Sequence, residues 1–265
     1  MIELKDIQQL KSSKVLLIGD SCIDQYHYGV CERINPEAPV PIFKVLKTQK
    51  IGGMAHNVKS NLEGFAAQVH LLTNPEEIVK VRHIDQKSRQ HLLRVDWGEA
   101  DKVKPLSKEK INSVDFDLFD IVVISDYDKG LLDSSAISQI LTKAKNKKVF
   151  VDSKKRDLSC YNDCVIKINQ NEHKVLTDFP ENCELITTLG EDGALYHGKK
   201  FPTKKAEIFD VCGAGDTFLA ALSIAYWLTE DMDRSIRFAN HCSGIVVQKF
   251  GTYAIRKEDI YDLCI

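Results

Sequence analysis

Six short apolar runs recur along the 265-residue chain and constrain its fold more than any other feature. Each run contains β-branched residues and is bounded by turn or polar residues. Runs of this kind are typical of strands that are buried on both faces of a parallel sheet. They are KVLLIGD (14–20), VHLLT (69–73), DIVVISD (120–126), KVFVDS (148–153), VIKIN (165–169) and ELITTLG (184–190).

Amphipathic stretches lie between these runs and can form the crossover helices that parallel strands need. In residues 134–148, for example, apolar side chains recur at helical spacing after Asp133 or Ser134, and either residue can cap a helix. A chain of this length can bury one sizeable core. We therefore predict an α/β fold with a mostly parallel central sheet flanked by helices, in a single domain spanning residues 1–265.

Two segments interrupt this alternation, at about 25–48 and 80–98. Both have the pattern of extended, partly exposed strands, with no helix between their halves. We interpret them as a small β-sheet lid that lies across one end of the central sheet. An exposed sheet with an apolar face is a liability unless it is covered, so we expect a homodimer formed through this lid.

Charge and composition exclude several classes of partner. The formal net charge of −2 provides no general field for nucleic acid or an anionic membrane. The N-terminal segment, residues 1–14, has no apolar signal-peptide core, and no run reaches the roughly 18 apolar residues of a membrane span. The eight cysteines and eight histidines show no metal-binding spacing. We expect a cytoplasmic protein with reduced, mostly buried thiols, no structural metal and a small-molecule ligand.

The strongest chemical pattern is FDVCGAGDTFLAALSIAYWL, at residues 209–228. A turn of Gly213, Ala214 and Gly215 leads directly into an apolar helix. Free N–H groups and the positive end of the helix dipole therefore point at one place, where an anion can bind. Asp216 adds a carboxylate, which could serve as the base that phosphoryl transfer requires. Taken alone, the pattern is equally compatible with an ordinary capped turn.

DVCGAGD resembles the signature of the ribokinase-like, phosphofructokinase-B-type sugar kinases, and further stretches match that family in order. The resemblance implies ATP and Mg²⁺ as cofactors. It places INQNE near the magnesium-bound phosphates, with Glu172 reaching the metal through water, and TTLGEDG beside the nucleotide. Asn240 could approach adenine or ribose, or could bond to nearby backbone. The nucleotide-side residues are thus Asn169, Glu172, Thr188, Gly190, Gly193 and Asn240.

The sugar side is expected at the end of the first strand, because open parallel sheets bind ligands at the carboxyl ends of their strands. Asp20 and Asp24 stand there and could accept hydrogen bonds from sugar hydroxyls, or could simply cap local structure. IGGMAHNVKSNL resembles the family's sugar-side motif. We predict that Gly52 and Gly53 open a helix and that Asn57 follows one turn later.

One branch of the family fits more closely. The stretch GDSCIDQYHYGVCERINPEAPVPIFKV, at 19–45, resembles the kinase domain of the bifunctional enzymes of lipopolysaccharide-heptose biosynthesis. Those enzymes phosphorylate D-glycero-β-D-manno-heptose 7-phosphate at the anomeric hydroxyl. A phosphorylated acceptor also needs fixed cations. The matched motifs favour Arg94 and Lys154 for this role, although Arg94 could instead pair with Asp96.

Two alternative functions remain open on the sequence. One is a sister kinase that acts on fructose, fructose 6-phosphate, ribose or a nucleoside. The other is a catalytically inactive protein that binds a nucleotide or sugar phosphate. The second is suggested by segments that the family usually has and that this chain lacks, after Thr73 and after Leu176. The intact GAGD turn favours an enzyme.

Overall fold

The structure is a computed structural model that describes residues 13–99, 103–204, 207–249, 251–256 and 258–259. Most of the N-terminal segment considered above, and Cys264, lie outside the described residues.

Twelve strands and six α-helices follow one another along the described chain. The strands are β1 (Lys14–Gly19), β2 (Ser21–Ile34), β3 (Pro41–Met54), β4 (Gln68–Leu72), β5 (Val79–Asp85), β6 (His91–Trp97), β7 (Ile121–Asp126), β8 (Val149–Ser153), β9 (Val165–Asn169), β10 (Glu184–Thr188), β11 (Ala194–Tyr196) and β12 (Lys199–Phe201). The helices are α1 (Ala55–Gly64), α2 (Lys108–Asn112), α3 (Ser134–Lys143), α4 (Gln170–Lys174), α5 (Ala214–Thr229) and α6 (Met232–Val246). Short 3-10 turns occur at Phe116–Leu118 and Gly190–Asp192.

Eight strands form the larger sheet, in the order β12-β11-β10-β9-β8-β7-β1-β4. The pairs from β10 to β4 are parallel, whereas β11 and β12 add an antiparallel hairpin at one edge. All six apolar runs are strands of this sheet, so the predicted α/β fold class is confirmed. The sheet brings the carboxyl ends of β1, β7, β8 and β9 to one edge.

Helices cover both faces of the larger sheet. Because successive side chains of a strand point to opposite faces, Leu17 packs into the core under α1, α5 and α6, while Leu16 and Ile18 pack against α3 and its neighbours. Helix α3 begins after Asp133, whose side chain accepts a hydrogen bond from the Ala136 N–H. It ends at Lys143, before the predicted limit, because the following residues are polar and lysine-rich. None of the described helices is both long and apolar enough to span a bilayer.

The smaller sheet has four strands in the order β3-β2-β5-β6. Strand β2 is antiparallel to β3 and parallel to β5, and β5 is antiparallel to β6. Only Asp20 separates β1 from β2, so the chain passes from one sheet to the other with a single intervening residue. The strand pair β2 and β3 begins before the predicted limit of 25, at Ser21.

Two expectations about local structure were wrong. Gly52 and Gly53 do not open a helix, because their backbone pairs with Ile23 and Cys22 as the last part of β3. Helix α1 begins only at Ala55. The seven thiols among the described residues are free but not uniformly buried, since Cys31 on β2 and Cys212 before the GAGD turn are exposed.

The connections that the sequence suggested were shortened are short in the structure. Residues 73–78 join β4 to β5 directly, and no helix lies among these described residues. Between β9 and β10 the only helix in the described chain is α4, with five residues. Both reductions lie away from the GAGD turn in sequence.

Candidate active site

The GAGD turn stands at the N-terminus of α5, where it is held open by contacts that only glycine permits. Gly213 has φ 81°, and a Cβ there would lie 2.6 Å from Nδ2 of Asn57. Gly215 lies over the ammonium of Lys167, where a Cβ would be 2.9 Å from Nζ. The Ala214 N–H donates to the Val211 carbonyl at 3.2 Å, so the N–H groups left for an anion at this turn are those of Gly213, Gly215 and Asp216. With a fixed cation beneath it, the turn suits the binding of an anion.

Asp216 is buried in the first turn of α5, and two side chains from distant parts of the chain donate to it. Nδ2 of Asn57, on α1, is 2.7 Å from Oδ2, and the hydroxyl of Tyr127, after β7, is 2.9 Å from Oδ1. Burial raises the pKa of Asp216 to about 6, although both hydrogen bonds oppose the shift. A carboxylate of this basicity is a suitable proton acceptor near neutral pH.

Two lysines and two acids form a charged cluster below and beside the turn. Lys167 and Asp152 form an ion pair, and each is only 2% exposed. Nζ of Lys154 lies 2.9 Å from Asp152 and 2.8 Å from Glu172. Burial alone would raise the pKa of Asp152, but the two lysine charges outweigh it and hold that pKa below its ordinary value. The cluster thus holds two lysine and two carboxylate charges in fixed positions at the edge of the larger sheet.

Asn169 and Glu172 form a capping box at the start of α4. The Asn169 side chain accepts from the Glu172 N–H at 2.9 Å, and the Glu172 carboxylate accepts from the Asn169 N–H at 2.7 Å. The box fixes Glu172 beside Lys154. Asn169 also lines a cavity of about 500 Å³ together with Asp216.

A second cavity, of about 300 Å³, adjoins the first. The remaining residues predicted to contact the nucleotide line it, and Gly215 belongs to both cavities. Asn240 is largely buried, and its Nδ2 donates to the Phe201 carbonyl at 2.8 Å. A hydrogen bond to nearby backbone was the predicted alternative to a contact with adenine or ribose. The predicted residues lining this cavity are Thr188, Gly190, Gly193 and Asn240.

The predicted sugar-side acids are both engaged in the structure. Asp20 is fully buried, and its carboxylate accepts the backbone N–H of Tyr127 at 2.8 Å. Its observed contacts therefore favour a role in positioning the loop after β7 over direct contact with a ligand. Asp24 lies on β2 and pairs with Arg82 on β5 at 2.5 Å. Gly53 packs against Asp24, since a Cβ there would be 2.4 Å from its Oδ2.

The two predicted cations lie in different environments. Arg94 is 53% exposed and donates to both oxygens of Asp96 on its own strand, at 2.8 and 2.7 Å. Pairing with Asp96 was the alternative to a substrate contact. Lys154 lies instead in the charged cluster near Glu172 and lines the same cavity as Asp216. The matched family motifs favoured Arg94 and Lys154 equally and did not show that their surroundings differ.

Sequence reasoning missed two central residues. Lys167 interrupts the apolar run VIKIN, and a lysine at a buried strand position is a signal that could have been used, because buried lysines need a partner. Tyr127 directly follows the carboxyl end of a predicted strand, where ligand-binding groups are expected. No pattern indicated that its hydroxyl would reach Asp216.

The fold and this site together define a class of protein, a small-molecule kinase with a ribokinase-like fold. Residues 66–259 match the pfkB family carbohydrate kinases, which is more than half of the chain. The chain belongs to the pfkB family of carbohydrate kinases, whose members transfer phosphate from ATP to a sugar hydroxyl.

Two relatives and two solved structures illustrate the likeness. Proteins named "Bifunctional protein HldE" from a Nitratiruptor species and from Sulfurimonas denitrificans are 32% and 34% identical over 93% of this chain, which covers 64% and 63% of them. The chain thus spans less than two thirds of their length. Phosphofructokinase-2 from Escherichia coli, in complex with potassium, has a TM-score of 0.72 at 15% identity, with 95% of this chain and 98% of that chain covered. Arabidopsis thaliana ribokinase, complexed with ribose and ATP, has a TM-score of 0.67 at 16% identity, with the same coverage.

The alignment with the first relative bears on the shortened connections. It extends over 298 residues, which is longer than the 265-residue chain. The relative therefore contains segments that have no counterpart here.

Asp216→Asn should abolish phosphoryl transfer and should stabilise the protein at alkaline pH. The folded pKa of about 6 lies above the ordinary 3.8, so the protonated form favours folding. That contribution is complete below the ordinary value and is lost as pH rises through the folded one. Asparagine mimics the protonated form, so the gain should reach up to about 3 kcal/mol at pH 8 and vanish near pH 4. Urea unfolding across this range measures it, and a pH-independent difference would contradict the assignment.

Gly213→Ala should impair both folding and catalysis, because the added methyl group meets Asn57. Gly198→Ala is the matched control, since Gly198 also has positive φ, 73°, but nothing lies within 4 Å of its Cβ position. We expect a loss of about 1 kcal/mol for the control and more for Gly213→Ala. Displacement of Asn57 and Asp216 should also reduce turnover by about 100-fold in Gly213→Ala alone. Equal effects of the two substitutions on stability and turnover would refute the steric explanation.

Proposed function

We propose that this protein is an ATP- and Mg²⁺-dependent kinase that phosphorylates D-glycero-β-D-manno-heptose 7-phosphate at the anomeric O1, giving the 1,7-bisphosphate. The observation that carries the kinase chemistry is the buried Asp216 carboxylate beside the open GAGD turn. The choice of acceptor is supported by the resemblance of residues 19–45 to heptose kinase domains and by the relatives named HldE. Since the reaction consumes ATP, we place the protein in the cytoplasm.

In this mechanism Asp216 accepts the proton of the attacking sugar hydroxyl. The N–H groups of Gly213, Gly215 and Asp216, together with the dipole of α5, stabilise the negative charge of the phosphoryl group in transfer. Lys167 lies beneath the same turn and adds a positive charge that is already in place before the phosphoryl group moves. Asn57 and Tyr127 hold the carboxylate of the base in place.

Mg²⁺ fits this site through phosphate and water ligands. Among the described residues, no group of three or more His, Cys, Asp or Glu side chains is arranged to hold a metal ion. Mg²⁺ commonly keeps several waters and binds through one or two carboxylates and substrate phosphates. Glu172 supplies such a carboxylate beside the cavity of about 500 Å³. When bound, the ion would neutralise phosphate charge.

The phosphate already present on the acceptor would be recognised at the inner part of the smaller sheet. Arg82 is mostly buried there, pairs with Asp24, and stacks over the Tyr26 ring with Cζ 5.3 Å from its centroid. The Tyr26 hydroxyl lies 3.2 Å from the hydroxyl oxygen of Thr252, whose methyl group adjoins Gly213. These contacts connect Arg82 to the turn through Tyr26 and Thr252, whereas the exposed Arg94 pairs with Asp96. We therefore favour Arg82 for this contact, with Arg94 as a secondary candidate.

The smaller sheet is proposed to act as a lid on a single kinase domain, residues 1–265, and to pair with a second copy. Its strands expose large apolar side chains that a monomer would leave in water. Leu93 on β6 is 58% exposed, and Trp97 is 63% exposed. Leu93 and Trp97 lie four residues apart on β6 and therefore point to the same face, so one sheet-to-sheet contact would cover both.

Release of ADP should be fastest with heptose 7-phosphate. The test compares this acceptor with the unphosphorylated heptose, fructose 6-phosphate, fructose, ribose and adenosine, each with Mg²⁺ and with EDTA. A site that binds a phosphate should prefer the phosphorylated acceptor by about 100-fold, because a hydrogen bond to a charged group contributes about 1.5–3 kcal/mol. Asp216→Asn is the inactive control, and EDTA should remove activity.

Other outcomes of that assay identify the alternatives. Faster turnover of another sugar would replace the acceptor while keeping the kinase assignment. Nucleotide binding without turnover of any acceptor, unchanged by Asp216→Asn, would favour an inactive binding protein.

Leu93→Glu should convert the proposed dimer to a monomer at micromolar concentration, because it places charge on the apolar face of the smaller sheet. Leu118→Glu is the matched control, since Leu118 is 60% exposed but lies next to β7 on the larger body. Light scattering measures the mass of each variant. A monomeric parent protein, or dissociation by both substitutions, would refute a dimer formed through this face.

A further inference from the structure

The hydroxyl of Tyr127 donates a hydrogen bond to one carboxylate oxygen of Asp216, and the side chain of Asn57 donates to the other. The two donor distances are 2.9 Å to Oδ1 and 2.7 Å to Oδ2 of Asp216. A carboxylate oxygen can accept two hydrogen bonds. Each oxygen of Asp216 therefore retains one free acceptor position, and the two donors fix the plane of the carboxylate.

Tyr127 is itself held by a loop that has little freedom. Its N–H donates to the buried carboxylate of Asp20 at 2.8 Å, and the Asp128 N–H donates to Asp126 at 3.0 Å. Asp128 has φ 55°, a left-handed turn conformation that aspartate adopts more readily than most residues. Further along the loop, Lys129 pairs with Glu99 at 3.0 Å. The loop therefore sets the position of the tyrosine ring from its backbone.

We propose that Tyr127 is a positioning residue for the phosphoryl transfer: its hydroxyl orients the carboxylate of Asp216 through the hydrogen bond to Oδ1. This role rests on the proposed function of Asp216 as the base. The hydroxyl is not itself the proton acceptor, because burial raises the pKa of Tyr127 well above its ordinary value and keeps it protonated. It therefore acts as a permanent donor to the carboxylate.

The charges around Asp216 define what the tyrosine contributes. Lys167 on β9 lowers the pKa of Asp216, whereas Asp152 on β8 raises it. Cys22 on β2 also faces the site, but burial raises the pKa of its thiol to about 12, so it stays neutral near pH 7. Lys154 stacks on the Tyr127 ring with Nζ 5.5 Å from its centroid. Removal of the hydroxyl leaves these charges in place and deletes one donor to the carboxylate.

Tyr127→Phe should move the acid limb of the pH profile of kcat/KM upward by about one pH unit, because loss of a hydrogen bond to a charged group favours its protonated form. We also expect kcat to fall by about 10- to 100-fold, as for loss of orientation, with KM for ATP unchanged. Tyr161→Phe is the matched control. It removes another buried hydroxyl that donates to a carboxylate, that of Asp126, at 2.7 Å. It should leave the acid limb in place.

A second measurement needs no turnover and so separates this role from the choice of acceptor. The stabilisation produced by Asp216→Asn is measured against pH in the parent protein and in Tyr127→Phe. The onset of that stabilisation is set by the unfolded chain and should stay near pH 4, whereas the pH at which the stabilisation levels off should rise by the same one unit or so in Tyr127→Phe. If neither the acid limb nor this upper limit moves, Tyr127 only packs the site and the proposal fails. If the upper limit moves while no acceptor is phosphorylated, the positioning role stands and the proposed function fails.

Discussion

A carboxyl group buried at the N-terminus of a helix is the constraint on which the rest of this structure depends. Asp216 must be buried enough for its pKa to rise, yet its carboxylate must stay oriented and partly ionised. Burial alone would leave a carboxylate without partners at a cost of several kcal/mol. The fold supplies partners from three separate parts of the chain, since Asn57, Tyr127 and Lys167 come from α1, the loop after β7 and β9.

The same constraint explains the placement of small residues around the turn. Asn57 can approach Asp216 only because position 213 has no side chain, and Lys167 can lie under the turn only because position 215 has none. Lys167 is in turn held in place by its ion pair with Asp152 on the neighbouring strand β8. The GAGD turn is therefore a packing solution as much as an anion site, in which each glycine admits one polar group of the network.

The sequence predicted six of the eight strands of the larger sheet, because the central strands β1, β7, β8 and β9 are buried on both faces and are therefore mostly apolar. The GAGD turn was also predictable, since its chemistry lies in adjacent residues. Contacts between distant residues were not predictable in the same way. The Tyr127 hydroxyl bond to Asp216 depends on the path of one loop, and Asp20 turned inward to the backbone of that loop. Gly52 and Gly53 were assigned to a helix because their pairing partners in β2 lie about thirty residues away in the chain.

The single residue between β1 and β2 has a mechanical consequence. The N–H of Asp20 bonds to Ser125, and its carbonyl accepts from Ala55, so the junction of the two sheets is pinned on both sides. Because this junction is rigid, the smaller sheet has no hinge where it joins the larger one. Its pairing of β2 with β3 changes register twice farther out, between Tyr28 and Gly29 and between Cys31 and Arg33. Any closing movement must then be a bending of the outer part of β2 and β3 at these bulges, while the inner part of the smaller sheet stays fixed to the larger one.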